Sequence, residues 1–219
     1  MGGRTQAHGM DTGAIEAAVR HERLALCEHL DGLDDAGWAT PSLCTEWTVR
    51  EVVAHLTTTT RSTVGSVLRA AVRARGSFDR MEVQVARERS ERFTPAELLG
   101  QLRESAASSR RTPGSGPMDP LMDLVVHAQD VSRPLGRPYR SPDAVVLASL
   151  AYVAGNRFLG GSRRAAGLEL VATDADWSSG AGPQVRGPAE DLLLVVAGRP
   201  AGLAALDGPG VAALADRLR

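Results

Sequence analysis

The chain has 219 residues, with 25 basic against 26 acidic side chains, a formal net charge of −1 and 43% hydrophobic residues. This is a globular composition, long enough at roughly 150 residues per domain for one large and one small domain with no disulfide or cofactor as a staple. It excludes a global positive field for nucleic acid, and neither a run of about 18 apolar residues nor a secretory leader is present, so no nucleic-acid or membrane partner and a cytoplasmic location are expected.

Residues 1–9 are Gly-rich and aperiodic, the pattern of a disordered leader or an expression scar, and a second methionine follows at Met10. From Gly13 to Leu33, apolar residues at Ile15, Ala18, Val19, Leu24, Leu26 and Leu30 keep close to the helical period and predict a first helix. Between Asp34 and Trp47 that period stops, and Trp38, Pro41, Cys44 and Trp47 mark a loop aromatic enough to pack down. Thr48-Val-Arg-Glu51 is a capping box, the Thr hydroxyl meeting the backbone N–H three residues on, and it predicts a helix from Val49 to about Ala74.

A helical stretch follows over Asp79 to Glu91, and a second capping box, Thr94-Pro-Ala-Glu97, opens a helix to about Ser109. After a Pro/Gly/Ser loop from Arg110 to Pro117, Asp119-Pro120 starts a helix ending near Ser132. Ser141-Pro142 starts another to Leu159, closed by Gly160-Gly161. Beyond Ser162 the pattern changes to strands at Leu168 to Ala172 and Gln184 to Arg186, separated by a Gly-rich turn over Trp177 to Gly182. A helix over Ala189 to Ala197, a further strand at Leu203 to Leu206 and a terminal helix from Gly210 to Leu218 complete the chain. The expected fold class is mainly α: a helical bundle over residues 10–161, followed by a small α+β domain over residues 162–219.

The Gly-rich phosphate loop, GxSxG, HExxH and paired CxxC are all missing, and what stands out is a set of histidines. His55 is flanked by Val52, Val53 and Leu56, and His127 lies in an equally apolar helix with Asp123 four residues before it on the same face. A carboxylate and an imidazole on one helix, facing an imidazole from another, is how bundles build interior metal sites. Three protein ligands leave a position open. Asp130, at i+3 from His127, reads either as an acceptor that orients that imidazole from outside the ligand set or as an exposed acid near the helix end. The competing reading is a pair of core histidines satisfied by local hydrogen bonds, with Asp123 favouring the start of its helix. His8, His21 and His29 read as solvent-facing, and Cys27 and Cys44 as small buried hydrophobes.

Three separated segments carry a family resemblance: Leu43-Cys-Thr-Glu-Trp-Thr-Val-Arg-Glu-Val-Val-Ala-His-Leu56, Asp123-Leu-Val-Val-His-Ala-Gln-Asp-Val131, and Gly182 to Pro188 continuing through Leu192 to Arg199. Together they resemble the actinobacterial mycothiol-dependent maleylpyruvate isomerase-like proteins, within the wider DinB-like metal-binding bundles. The resemblance implies a DinB-like four-helix bundle binding a divalent metal, typically zinc, followed by a sterol-carrier-protein-like α+β domain. Its metal ligands fall on His55, Asp123 and His127. One position departs, because the family pattern has Glu where this chain has Asp123. The shorter side chain requires a shifted helix, a substitute ligand in Asp130, or a weakly held metal.

The resemblance further implies mycothiol as the thiol cofactor, activated as its thiolate on the metal, which isomerises a small electrophile by reversible addition or transfers to it. No protein nucleophile is then needed. Arg186 or Arg199 would bind a carboxylate of the substrate or polar groups of the thiol. Two other classes stay open: a thiol-independent metal hydrolase or lyase, and a non-catalytic binding module. The chain is expected to work as a monomer or homodimer.

Overall fold

The computed structural model describes residues 10–219, so the leader expected over residues 1–9 lies outside the described residues. The chain forms two compact units, Thr12–Arg140 and Ser141–Arg219. The division falls between Arg140 and Ser141 and not at Gly161, where the composition changes.

The first unit is helical: α1 (Thr12–His29), α2 (Asp35–Trp38), α3 (Val49–Leu56), α4 (Val64–Arg73), α5 (Phe78–Arg92), α6 (Pro95–Glu104) and α7 (Met118–Ser132). Within it α3 packs on α5, α6 and α7, and α1 on α6 and α7. Apolar side chains such as Leu26, Leu30, Val52, Val53, Leu98, Leu102, Leu121 and Val125 are buried and form its core. One helix face carries charge into that core. Arg23 is 2% exposed, and its guanidinium donates to Ser105 O at 2.7 Å and Ser108 O at 3.0 Å, satisfying carbonyls past the end of α6. Beside it, Tyr139 Oη donates to Glu22 at 2.9 Å.

The single long helix expected from Val49 to Ala74 is two helices. Thr57 to Thr60 are β-branched and lose rotamer freedom in a helix, while their hydroxyls compete for the backbone. The Thr57 hydroxyl donates to Ala54 O at 2.7 Å and accepts from Arg89 Nε at 2.9 Å, and the Thr58 hydroxyl donates to His55 O at 2.7 Å. The chain turns there, and a reciprocal cap between Thr63 and Ser66 starts α4 afresh. None of α4 is buried, and Val64, Leu68 and Val72 stay exposed, so no core contact forces it into line with α3. The other capping boxes form as expected, Thr48 with Glu51 and Thr94 with Glu97. Because Thr48 fixes the start of the helix carrying His55, Thr48→Ala is expected to lower unfolding free energy by about 1 kcal/mol. Urea unfolding checks this.

Helix α7 starts one residue before Asp119, whose carboxylate accepts from Gly116 N at 2.6 Å, and α6 ends at Glu104, short of Ser109.

The second unit holds α8 (Asp143–Gly155), α9 (Gly161–Ala165), β1 (Glu169–Ala172), β2 (Ser178–Gly180), β3 (Gln184–Gly187), α10 (Ala189–Val196), a 3-10 turn (Pro200–Ala205) and α11 (Val211–Asp216). Helix α8, assigned to the bundle by sequence pattern, packs instead on α10 and α9. Its apolar residues do not separate onto one face, so the sequence carries no signal of which neighbour it meets. The sheet order is β2-β1-β3, with β1 antiparallel to β2 and parallel to β3, which sets Leu170 opposite Val185.

The Gly-rich stretch read as a turn supplies strand β2, and Gly180, at φ +89°, sits where a Cβ would strike the Leu168 carbonyl. No strand forms over Leu203 to Leu206. Pro200 starts a 3-10 turn there, and extended pairing begins only at Asp207, which exchanges two 2.8 Å backbone bonds with Arg186. The mainly α class with a small three-stranded sheet agrees with expectation. No helix among the described residues is long and apolar enough to cross a membrane.

Candidate metal centre

Helix α3 buries Val49, Val52, Val53 and Leu56, which brings His55 in its last turn to the edge of the core with a side chain 13% exposed. Helix α7 is buried along most of its length, so His127 and Asp130 come with it into the interior and Asp123 to the edge of the core. The ends of the three expected ligands meet. Asp123 Oδ2 lies 3.2 Å from His55 Nε2, and Asp123 Oδ1 lies 3.3 Å from His127 Nε2. The donor atoms of all three lie within 4.8 Å of one another.

Each imidazole also has a carboxylate on its far nitrogen. His127 Nδ1 lies 2.8 Å from Asp130 Oδ2, a carboxylate with 0% exposure. His55 Nδ1 lies 2.9 Å from Glu82 Oε2 of α5, an ion-pair distance without hydrogen-bond alignment. Both Nδ1 atoms are thus occupied by acids, and both Nε2 atoms face one shared carboxylate, Asp123. A carboxylate behind a histidine fixes the tautomer that leaves Nε2 as the ligating nitrogen.

Electrostatics hold the cluster together. Burial disfavours the charged form of His55, but Asp123, by charge and hydrogen bond, and Glu82 outweigh it and lift its pKa to about 9. For His127 too, burial is outweighed, by Asp123, Cys44 and Asp130, and its pKa stands well above the ordinary histidine value. Asp123 would be pushed up by burial, yet the two imidazoles hold it far below the usual carboxylate range. Without a cation, protons on two histidines bind a shared acid. A divalent cation would replace those protons.

Sequence reasoning missed three neighbours. Glu82 has no local signal, because α5 is strongly polar and an acid on it looks solvated. Trp47 packs its ring 4.9 Å from His55 and 5.8 Å from His127, and its buried Nε1–H has no acceptor among the described residues. The aromatic character of its loop signalled that the segment packs down, without showing onto what. Cys44 is half-buried rather than a core hydrophobe, its Sγ donating to Asp130 Oδ2 at 3.1 Å and lying 3.8 Å from His127 Nδ1. It belongs with His127 and Asp130 in a second cluster of potential donors.

Cys27 is fully buried as expected, with Sγ 3.7 Å from Leu99 O and its pKa pushed up by burial to about 11. His21 is exposed. His29 is not solvent-facing as expected: it lies 2.9 Å from the Ser132 hydroxyl and packs edge-on against Tyr139, because α1 runs against α7. His8 falls outside the described residues. Arg186 and Arg199 belong to the other unit. Arg186 is half-exposed with Nε 3.9 Å from Asp207 Oδ1, and Arg199 donates to Ala197 O at 2.8 Å.

Comparison with known proteins gives three findings. Residues 19–115 match the family described as the mycothiol maleylpyruvate isomerase N-terminal domain, a stretch that includes Cys44, Trp47, His55 and Glu82 and ends before α7. The fold is similar to the crystal structure of the mycothiol-dependent maleylpyruvate isomerase, with a TM-score of 0.64 at 16% identity, covering 94% of this chain and 95% of that one. It is also similar to a histidine-to-alanine mutant of the mycothiol-dependent maleylpyruvate isomerase, with a TM-score of 0.61 at 15% identity and the same coverage, 94% and 95%. No curated protein matches the sequence. The resemblance carried by the segment around His55 is thus matched over residues 19–115 by the mycothiol maleylpyruvate isomerase N-terminal domain family, and the fold is similar to the solved isomerase over nearly the whole length of the chain.

Proposed function

We propose that this protein is a divalent-metal-binding, mycothiol-dependent isomerase or thiol transferase of a small electrophilic metabolite, maleylpyruvate being the first substrate to try. One observation carries the metal part: both imidazole Nε2 atoms face the single carboxylate of Asp123, while Glu82 and Asp130 stand behind them on Nδ1. Two neutral imidazoles and one carboxylate suit zinc, and three protein ligands leave room for an exogenous one. Asp123 already reaches both Nε2 atoms, so the shorter acid needs no substitute in Asp130.

A divalent cation held there supplies an open position and lowers the pKa of a bound thiol, giving thiolate near neutral pH. The chain does the rest. His55 and His127 give up their Nε2 protons, Asp130 keeps the His127 Nδ1 proton in place, and Glu82 stands at ion-pair distance from His55 Nδ1. Trp47 walls one side and offers its unpaired N–H to an anionic group. Arg186 is the better of the two C-terminal arginines for a substrate or thiol carboxylate, since Arg199 already serves a backbone carbonyl.

The test is turnover of maleylpyruvate with and without mycothiol, before and after chelation. Loss of activity on omitting either one is the expected outcome. Activity indifferent to mycothiol would replace this reading with a metal hydrolase or lyase. Tight thiol or metal binding with no turnover of any unsaturated keto acid would leave a binding module.

A further inference from the structure

Nothing in the proposed reading uses Cys44, yet two bonds tie its loop to the buried acid behind His127. Leu43 N–H donates to the backbone oxygen of Asp130 at 3.0 Å, and Cys44 S–H donates to its side-chain Oδ2 at 3.1 Å. That same Oδ2 lies 2.8 Å from His127 Nδ1. The loop is closed on itself, with Pro41 bridged to Thr48, the Ser42 hydroxyl donating to Trp47 O at 2.8 Å and Cys44 N–H donating to Ser42 Oγ at 3.1 Å. Cys44 therefore meets Asp130 from a fixed base.

The terminal torsion of an aspartate is broad, so its rotamer alone does not set which way the carboxylate plane faces. A thiol is a weak donor, and its effect on a buried carboxylate is to choose an orientation more than to add strength. We propose that Cys44 is a positioning residue: its S–H, with the Leu43 N–H, clamps Asp130 so that Oδ2 stays on His127 Nδ1 and His127 Nε2 stays turned to Asp123. For metal binding this rests on the reading of His127 as a ligand. The orientation of the ring does not require a cation.

Two measurements test it on the full chain. In metal-free, 15N-labelled protein, the solvent-exchange rate of the His127 Nδ1 proton is compared among wild type, Cys44→Ser, Cys44→Ala and Cys44→Val. Zinc affinity of the same proteins is then taken by chelator competition. Ala and Val, which lack the donor, are expected to exchange at least about tenfold faster and to bind zinc about tenfold more weakly, the scale of an outer partner to a metal-bound histidine. Ser keeps a donor and is expected to stay near wild type.

If Val, which preserves the bulk, behaves as wild type in exchange, Cys44 only fills space and the proposal fails. Val also decides the matter if the Ala variant does not fold. Wild-type protein that binds no zinc would overturn the metal reading, while the exchange rates would still decide the role of Cys44.

Discussion

His127→Ala is expected to weaken zinc binding about a thousandfold, the share of one ligand in a binding free energy on the order of 10–16 kcal/mol. The same change is expected to lower the unfolding free energy of the metal-free protein by about 3 kcal/mol, because it leaves the buried Asp130 without its histidine counter-charge. Asp130 has 0% exposure, and its 2.8 Å contact to Nδ1 is lost with the ring, as is the 3.3 Å contact of Asp123 to Nε2. His55→Ala separates the two effects. It removes a proposed ligand as well, so zinc affinity is expected to fall to a similar degree, but its acids Asp123 and Glu82 keep 26% and 23% side-chain exposure and water compensates them. Chelator competition and urea unfolding of chelated protein give both quantities. A His127→Ala variant with wild-type zinc affinity would remove that residue from the ligand set.

The second large effect is on pH. In the proposed site zinc and protons would compete for the same two Nε2 atoms, and the folded protein holds those protons tightly, His55 to about pH 9 and His127 well above the ordinary value. Log zinc affinity is therefore expected to rise with pH by nearly two units per pH unit, one proton from each histidine, until His55 titrates.

Stability of the metal-free protein runs the other way. A folded pKa above the unfolded value means that the two imidazoliums contribute fully below about pH 6.5, and that the His55 contribution is lost as pH rises through about 9. Asp123, held low, contributes above the ordinary carboxylate pKa and loses its contribution only in strong acid. Unfolding of chelated protein at several pH values, beside zinc titrations at the same values, shows the opposed slopes. A flat zinc affinity between pH 6.5 and 9 would mean that neither histidine yields a proton to the metal.

The convergence of His55, Asp123 and His127 is legible because each part is local: a histidine inside an apolar helical face, and an acid and an imidazole four apart on another. Capping boxes at Thr48 and Thr94 are equally local, and both helix starts follow them. What escapes is set by distant neighbours. Glu82 reaches His55 only because α5 packs on α3, and Cys44 meets Asp130 across 86 positions of chain. The break after Leu56 escapes for a different reason. A threonine run reads as weak helix, and only Arg89 and the hydroxyl bonds of Thr57 and Thr58 turn it into a corner. Adjacency in sequence places helix α8 with the bundle, while its evenly apolar surface carries no direction of its own.

The most direct test of the central claim is the metal content of protein purified without an affinity tag or added metal, measured by elemental analysis beside the His55→Ala and His127→Ala variants. The account predicts close to one equivalent of zinc or another divalent metal in the wild type and a loss in both variants. Wild-type protein that carries none, and takes up none on reconstitution, would contradict it.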